Sequence, residues 1–249
     1  RSLPQYIHPT NMMETQPLTS AFMEGSFTLS GQFTHGSNYT FLGDVAFSGE
    51  SIPVVYKPTR GEQPLWDFPP NTLAKRETAA YLFSRWLGWD LVPLTVYRRR
   101  GLPFGPGSLQ KYIPHDAGYH YFNFSGEDRA RLVNVALFDL LMNNADRKGS
   151  HVLVDEAGRL WCIDHGLCFH SEDKLRTVIW TFAGQEVPQN LLADLARLRS
   201  EKDGLHALLK PYLRVGEVNA ILHRAEKIWN EPVFPQPGND RRMFPFPPL

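Results

Sequence analysis

Three side chains that can bind a cation or move a proton lie within one short stretch of the chain. Asp146 comes first, His151 follows five positions later, and Asp164 follows thirteen positions after that. Imidazole and carboxylate groups are ligands for divalent metal ions, and each can also accept a proton from a reacting group. If the fold gathers these three groups, the resulting site can hold a divalent cation and handle a proton.

Two short apolar runs, 152–154 and 160–163, are the elements that must gather these side chains. The residues between them, 155–158, are Asp-Glu-Ala-Gly. An acidic, glycine-containing segment between two β-rich runs is typical of a hairpin turn. A turn centred near the third of these residues places His151 and Asp164 beside each other at the open end of the hairpin. Strand-pair geometry then predicts that these two residues lie within about 5–6 Å of each other.

The same register pairs Val152 with Cys162 and leaves Asp146 in the loop just before the hairpin. A simpler interpretation stays open on the residues alone. In that interpretation Asp146 belongs to a solvated turn, Asp164 caps a strand, and His151 is an incidental surface residue.

The segments 146–151, Asp-Arg-Lys-Gly-Ser-His, and 163–166, Ile-Asp-His-Gly, resemble loops of a known family. They are similar to the catalytic and metal-binding loops of the phosphatidylinositol 3-/4-kinase-like branch of the kinase superfamily. That branch carries a D-R-x-x-x-N run and then a D-F-G-type triplet across a short hairpin. HipA-type kinases share this spacing, and small bacterial kinase-like proteins resemble most of the chain. The resemblance implies an α+β, two-lobed kinase-like fold, with a small antiparallel-sheet N-lobe carrying one helix and a mainly helical C-lobe.

The resemblance also implies ATP-dependent transfer of phosphate to a hydroxyl group. Asp146 would orient or deprotonate the acceptor, and Arg147 and Lys148 would steady the transferring group or the loop itself. Asp164 and His151 would hold Mg²⁺ or Mn²⁺ on the phosphates of ATP. His151 stands where the family has Asn, and because imidazole is a poor ligand for Mg²⁺, this favours a softer metal such as Mn²⁺.

Upstream of this stretch, the sequence predicts a small antiparallel sheet. The runs 26–33, 39–47 and 52–57 read as β-strands separated by polar turns, which is the pattern of a meander. The first turn contains Gly, and we expect backbone groups around Ser37 and Asn38 to approach phosphate oxygens.

Lys57 ends the third strand, and the helix predicted over 73–87 carries Glu77. In kinase-like folds a lysine at this point contacts phosphates of ATP, and a glutamate of the following helix holds it. We therefore expect a Lys57–Glu77 pair. A later strand, 108–113, would lead into the hinge between the lobes. The hinge residues expected to bind the nucleotide, with backbone groups facing adenine, are Gln110, Lys111, Tyr112 and Ile113.

These elements suggest a division of the chain. Residues 1–20 would be an irregular N-terminal arm, and residues 21–113 the nucleotide-binding N-lobe. Residues 114–231 would form the C-lobe with the catalytic and metal loops. The Pro-rich tail, 232–249, would be extended and either laid on the surface or loose.

Two further features of the C-lobe bear on the site. A nearly all-apolar helix predicted over 127–144 contains Asp139, which needs a partner because an unpaired buried carboxylate is costly, and we expect it to hold the catalytic loop. The segment 167–188 has little periodicity and is where a kinase-like chain keeps its activation or substrate loop. Lys174 and Arg176 in this segment either contact an anionic substrate or belong to an ordinary exposed face.

Composition limits the classes of partner. Lys plus Arg and Asp plus Glu number 26 each, so the formal charge is zero, which argues against a broad surface for nucleic acid or anionic membrane. No apolar run approaches the roughly 18 residues that a membrane span needs. Two cysteines and no visible signal peptide predict a cytoplasmic protein. The expected partners are ATP and an acceptor that is a protein hydroxyl, a lipid head group or a small molecule.

Rival functions stay open on the residues alone. A zinc-dependent hydrolase or structural zinc site has potential ligands near the hairpin, although no C-x₂-C or H-E-x-x-H spacing is present. These ligands are His151, Cys162, Asp164, His165, Cys168 and His170. The departures from the family pattern, including His165 where the triplet usually has Phe, also permit a nucleotide-binding scaffold without transfer activity. Transfer of AMP instead of phosphate is a further alternative.

Overall fold

A five-stranded antiparallel sheet forms the smaller lobe in the computed structural model, which describes residues 9–33, 38–238 and 243–249. Its strands are β1 (Phe27–Gln32), β2 (Phe41–Phe47), β3 (Glu50–Pro58), β4 (Thr95–Arg98) and β5 (Gly107–Lys111). Their order across the sheet is β1-β2-β3-β5-β4, so β3 is central. Val54 and Tyr56 of β3 are buried on one face, and the period-2 alternation of a strand places Lys57 on the other.

Two helices flank this sheet, α1 (Pro9–Glu24) and α2 (Leu73–Leu87). The prediction of an irregular arm over residues 1–20 is wrong for residues 9–20, which lie in α1. Pro17 inside the helix and a weak apolar periodicity hid this element, because proline in a helix interior normally breaks it.

The C-terminal end of α1 is fixed by a buried arginine. The Arg98 guanidinium donates hydrogen bonds to the carbonyl of Gly25 at 2.7 Å and to that of Phe22 at 3.4 Å. Phe22 is fully buried beside it. Arg98, at the end of β4, therefore has a structural role.

The α2 helix has the predicted bounds, and its C-terminal end is marked by glycine. Gly88 adopts φ +75°, a left-handed conformation that closes helices and that glycine adopts without strain. At the other end, the Thr72 hydroxyl donates to the Pro69 carbonyl at 2.6 Å instead of capping the helix.

The larger lobe is mainly helical and contains a two-stranded hairpin. Its elements are α3 (Gly126–Ala130), α4 (Val133–Met142), β6 (Val152–Val154), β7 (Leu160–Cys162), α5 (Gln189–Ser200), α6 (Lys202–Leu209) and α7 (Val215–Asn230). The helix predicted over 127–144 is interrupted between α3 and α4. At this break Arg131 donates to Asp128 at 2.8 Å and to the Gly158 carbonyl at 2.8 Å, which ties it to the hairpin turn.

Aromatic packing joins the two lobes beneath the hairpin. Phe83 of α2 stacks on Phe138 of α4 with ring centroids 5.8 Å apart, and it meets Phe169 edge-on at 6.2 Å. All three rings are fully buried. This core fixes α2 against the large lobe, so the small-lobe helix and the hairpin occupy defined relative positions.

The C-terminal tail lies against the large lobe in the part that is described. The Phe234 N–H donates to the Gln185 carbonyl at 2.9 Å, and the Thr177 N–H donates to the Met243 carbonyl at 3.2 Å. Of the two arrangements predicted for this tail, the one laid on the surface is found. Among the described helices, none combines the length and the apolar character needed to cross a membrane.

Candidate active site

The hairpin forms with the predicted register. Val152 of β6 lies opposite Cys162 of β7, and the Ile163 N–H donates to the His151 carbonyl at 3.0 Å. At the open end, the His151 Nε2 atom lies 3.3 Å from the Asp164 Oδ2 atom. The predicted convergence of this imidazole and this carboxylate is therefore confirmed. The predicted gathering of both with the Asp146 carboxylate around one cation is not found, since no three His, Cys, Asp or Glu side chains of the described residues form a group that could hold a metal ion.

Two backbone groups contact the Nδ1 atom of His151. The Asp146 carbonyl oxygen, which can only accept, lies 3.0 Å from it, and the Lys148 N–H donates to it at 3.4 Å, so these contacts are compatible with either neutral tautomer. Burial lowers the pKa of His151 to about 4, although the Asp164 charge acts in the opposite direction, so the ring is neutral at pH 7. This neutral imidazole and the Asp164 carboxylate lie next to each other, and both groups can bind a divalent cation.

Lys57 bridges the sheet, α2 and the hairpin. Its Nζ atom lies 2.5 Å from the Glu77 Oε1 atom and 2.9 Å from the Asp164 Oδ1 atom. The predicted Lys57–Glu77 contact is confirmed, and the contact with Asp164 adds to it. Burial alone would lower the pKa of Lys57, but the charges of the two carboxylates outweigh this effect and raise the pKa, so the ammonium charge is kept.

Asp164 has a left-handed backbone conformation, which Asp and Asn adopt more readily than most other residue types. Its φ is +60°, and its side chain is 49% exposed. Burial would raise the pKa of Asp164, but the positive charge of Lys57 outweighs it and holds the pKa well below the usual range. Two positions later, a Cβ atom on Gly166 would come within 3.3 Å of the Leu73 Cβ atom, so glycine allows α2 to approach this loop.

Asp146 is held by the loop that follows α4. The Asn144 side-chain oxygen accepts a hydrogen bond from the Asp146 N–H at 3.0 Å, and the Lys148 Nζ atom lies 3.8 Å from Asp146 Oδ2. Burial raises the pKa of Asp146 to about 6; Asp164 adds to this effect, while Lys148 and Arg176 oppose it. A carboxylate with a pKa near neutrality can accept a proton from an acceptor hydroxyl.

Arg147 is fully buried, and all three nitrogens of its guanidinium are bonded inside the protein. Its Nε donates to both Asp139 oxygens at 3.0 and 3.1 Å. A terminal nitrogen donates to the carbonyls of His151 at 3.2 Å and Ile163 at 3.0 Å, and the other lies 2.9 Å from His165 Nε2. Of its two predicted roles, steadying the loop fits this geometry, whereas contact with a transferring phosphate does not. The partner predicted for Asp139 is thereby found.

His165 connects the catalytic loop to α2, a role that the sequence did not reveal. Because Arg147 can only donate, His165 Nε2 accepts and its proton lies on Nδ1, which is 4.0 Å from Glu77 Oε2. The His165 N–H donates to the same glutamate at 2.9 Å. Burial holds the pKa of His165 well below its usual range. A polar residue at an apolar position of the triplet was the available signal.

A second connection between the lobes was also missed. Arg76 of α2 is buried and forms an ion pair with Glu217, in the first turn of α7. It also donates to the Cys168 carbonyl at 2.5 Å. Glu217 in turn accepts from the Arg214 N–H at 2.7 Å. Arg76 precedes the lysine-binding Glu77, so this pair fixes the end of α2 that faces the cleft.

The structure leaves the predicted hinge residues with other partners. The Lys111 and Tyr112 N–H groups donate to backbone carbonyls of adjacent segments at 2.8 and 3.0 Å. The Gln110 side chain is buried and donates to a threonine of β4 at 2.8 Å, and the Ile113 carbonyl lies 2.8 Å from a histidine ring nitrogen. The adenine contact stays a prediction, and it cannot use the N–H groups of Lys111 and Tyr112.

The predicted phosphate turn is only partly described. Ser37 lies outside the described residues. The Asn38 side-chain oxygen accepts from the Gln63 N–H at 2.7 Å, which ties the turn to the segment after β3. Among the contacts of described residues, none joins Asn38 to Lys57, so its approach to phosphate stays a prediction.

The zinc alternative finds no support in the described part of the chain. No group of three or more His, Cys, Asp and Glu side chains there is arranged to hold a metal ion. A structural zinc site takes four such ligands. Burial raises the pKa of Cys162 to about 12 and that of Cys168 well above its usual value, so both remain thiols.

Comparisons with known proteins agree with this architecture. No protein-family model matches the chain. Protein Rv2133c of Mycobacterium tuberculosis is 38% identical over 260 residues, covering 90% of this chain and 92% of the relative. A structure of hydra Fam20 with sugar has a TM-score of 0.65 at 15% identity, covering 88% of each chain. The Helicobacter pylori proinflammatory kinase CtkA has a TM-score of 0.54 at 10% identity, covering 86% of this chain and 94% of that chain.

The two structural likenesses show the fold. Together with the five-stranded antiparallel sheet, they bear out the predicted α+β, two-lobed kinase-like architecture. They do not single out the phosphatidylinositol 3-/4-kinase branch, so the resemblance of the loops to that branch has no support beyond the loops themselves.

Proposed function

The chain belongs to the family of the mycobacterial protein Rv2133c, and we propose that it is an ATP-dependent phosphotransferase that uses a divalent cation, Mg²⁺ or Mn²⁺. One observation carries this proposal. Lys57 is held between Glu77 and Asp164, while the second oxygen of Asp164 lies 3.3 Å from the Nε2 atom of the neutral His151 ring. A lysine for phosphates and a carboxylate–imidazole pair for a cation thus meet at a single residue, Asp164.

The donor set at the hairpin fits a cation. His151 and Asp164 supply two ligands, and phosphate oxygens and water would complete the shell, as is usual for Mg²⁺ in phosphoryl-transfer sites. When bound, the cation would neutralise charge on the phosphates. The imidazole ligand supports a preference for Mn²⁺ over Mg²⁺.

The residues of the chain would divide the remaining tasks. Lys57 would contact the phosphates, and Glu77 would keep the lysine in place. Asp146 would accept the proton of the acceptor hydroxyl, with Lys148 beside it. Arg147 would keep the loop in position through Asp139 and would not touch the substrate.

The test of this proposal is the effect of Asp146→Asn on ATP consumption in the presence of Mn²⁺. We expect a loss of about 10²–10⁴-fold, the usual contribution of a general base. Glu156→Gln, at an exposed position of the hairpin turn, is the control and should keep the native rate. Equal rates above background for the native chain and Asp146→Asn would contradict the assignment. ATP binding without any turnover would support the scaffold alternative, and α-labelled product would indicate AMP transfer.

The pH dependence of turnover should report Asp146. Since the pKa of Asp146 is about 6, the base is ionised above this value and becomes protonated below it. We expect the rate to fall about tenfold per unit as the pH drops below about 6. His151, with a pKa of about 4, stays neutral around pH 6 and should not contribute to this fall in rate. In Asp146→Asn the residual rate should no longer fall below pH 6. If it still falls there, the titration belongs to another group.

A further inference from the structure

The backbone of Arg176 is hydrogen-bonded to the loop that carries the proposed base, Asp146. Its N–H donates to the Asn144 carbonyl at 2.8 Å, and its carbonyl accepts from the Arg147 N–H at 2.9 Å. These two bonds lie on either side of Asp146 in the sequence. The backbone of Arg176 is therefore fixed next to that carboxylate.

The neighbours of Arg176 show which way its side chain points. Leu175 and Thr177 are buried, and the Thr177 hydroxyl donates to Asp139 Oδ2 at 3.2 Å, beneath the catalytic loop. In an extended segment, successive side chains point to opposite sides. The half-buried Arg176 side chain therefore lies on the side of the loop away from Asp139, where its charge acts on Asp146.

Arg176 differs from the other cation of this segment in its contacts with the described residues. Lys174 lies 3.4 Å from Asp67, 3.6 Å from Glu172 and 4.9 Å from the Trp66 ring, so its charge is balanced. For the Arg176 guanidinium, the described residues provide no hydrogen bond and no ion pair. The sequence left two roles open for these cations, contact with an anionic substrate or a place on an ordinary exposed face. These contacts favour the first role for Arg176 and the second for Lys174.

The two cations near Asp146 differ in their engagement. Lys148 lies 3.8 Å from this carboxylate, whereas Arg176 has only backbone hydrogen bonds to the loop among the described residues. Asp164 is a second carboxylate that acts on Asp146, and it is held by Lys57. A hydroxyl compound that carries its own negative charge would therefore supply a partner for the Arg176 guanidinium, whereas an uncharged one would not.

We propose that Arg176 binds a phosphate or carboxylate group carried by the acceptor, so that the substrate is an anionic hydroxyl compound. The planar fork of a guanidinium matches both groups with two parallel hydrogen bonds. This inference rests on the proposed phosphotransferase function. It concerns the acceptor alone, and the nucleotide would be bound by Lys57.

The test compares matched acceptors that differ in one anionic group. With γ-labelled ATP and Mn²⁺, the full chain is offered glycerol, glycerol 3-phosphate and glycerate, and separately inositol and inositol 1-phosphate. Vesicles of phosphatidylinositol in phosphatidylcholine distinguish a lipid head group from a free phosphate. We expect label on charged acceptors and at least about tenfold less on their neutral counterparts.

Variants of the segment assign the preference to one residue. Arg176→Gln should raise the KM for the charged acceptor by about 10- to 100-fold, the range for a charge-assisted hydrogen bond. Arg176→Lys, which keeps the charge and loses the fork, should show an intermediate loss. The matched control Lys174→Gln should stay within about twofold of the native KM, because its contacts lie outside the acceptor site.

A chemical measurement keeps the inference testable if no acceptor in the set is used. Inorganic phosphate should slow the modification of Arg176 by phenylglyoxal, followed by mass spectrometry, and should leave an exposed arginine such as Arg60 unprotected. Absence of protection, or equal use of neutral and charged acceptors, would overturn the inference. Protection of Arg176 in a chain that consumes no ATP would support an anion site while the phosphotransferase proposal failed.

Discussion

Replacing Asp164 with Asn is expected to lower ATP consumption by about 10³-fold or more, the scale that charge-stabilising groups reach in phosphoryl transfer. The variant removes the negative charge on which both the proposed cation and Lys57 depend. Asn is the suitable replacement, because it tolerates the φ of +60° found at this position. The variant should therefore fold, and its loss should appear in turnover and in Mn²⁺ binding measured by calorimetry.

Asp90→Asn is the matched control for this change. Asp90 also has a positive φ, +48°, and its side chain also pairs with a cation, Arg85, at 2.7 Å. It lies outside the candidate site, so the same chemical change there should leave turnover within about twofold of the native value. If both variants lose activity to the same extent, the loss belongs to folding and the assignment of Asp164 fails.

The second large effect is on stability, at the buried pair beneath the catalytic loop. Removing one partner of a buried ion pair leaves an uncompensated charge, which costs about 3–5 kcal/mol. We expect Arg147→Met and Asp139→Asn each to reduce the free energy of unfolding by this amount in urea titrations. The double variant should lose less than the sum of the two, because the second change removes the stranded partner.

An exposed pair provides the comparison for this measurement. Arg199 Nε lies 2.5 Å from Glu226 Oε2, and both side chains are more than a third exposed. Arg199→Met should cost about 1 kcal/mol or less. Additive losses at Arg147 and Asp139, or losses no larger than that of the exposed pair, would contradict the view that their pairing holds the loop.

The parts of the site that could be predicted rest on short-range patterns. The hairpin followed from two apolar runs around an acidic, glycine-containing turn, and strand alternation then placed His151 beside Asp164. Both residues lie just outside the paired strands, His151 at the end of a 3₁₀ turn and Asp164 at a positive φ, and their side-chain atoms are 3.3 Å apart. The Lys57–Glu77 contact followed from the order of a strand and a helix in a kinase-like chain. The nucleotide and metal roles of all four residues stay predictions.

Other parts could not be predicted, because their cause is long-range. Charged residues are exposed by default, so nothing in the sequence marks Arg147 as fully buried. Its partner Asp139 lies eight positions earlier, inside α4, whereas Arg147 lies in the loop after that helix, so no regular element sets the distance between them. The pair of Arg76 and Glu217 joins residues 141 positions apart, and only the packing of α7 against the end of α2 brings them together.

The Arg76–Glu217 pair has a consequence for how the cleft can open. Withdrawing α2 from the cleft would strand two charges in an apolar interior, at a cost of several kcal/mol. We therefore expect α2 to move as one rigid body with the large lobe when a nucleotide enters. Glu77 would then keep its hydrogen bond from the His165 N–H throughout the cycle. The activity of such a protein would depend on the concentrations of its substrates. It would not depend on a movement of α2 between an active and an inactive position.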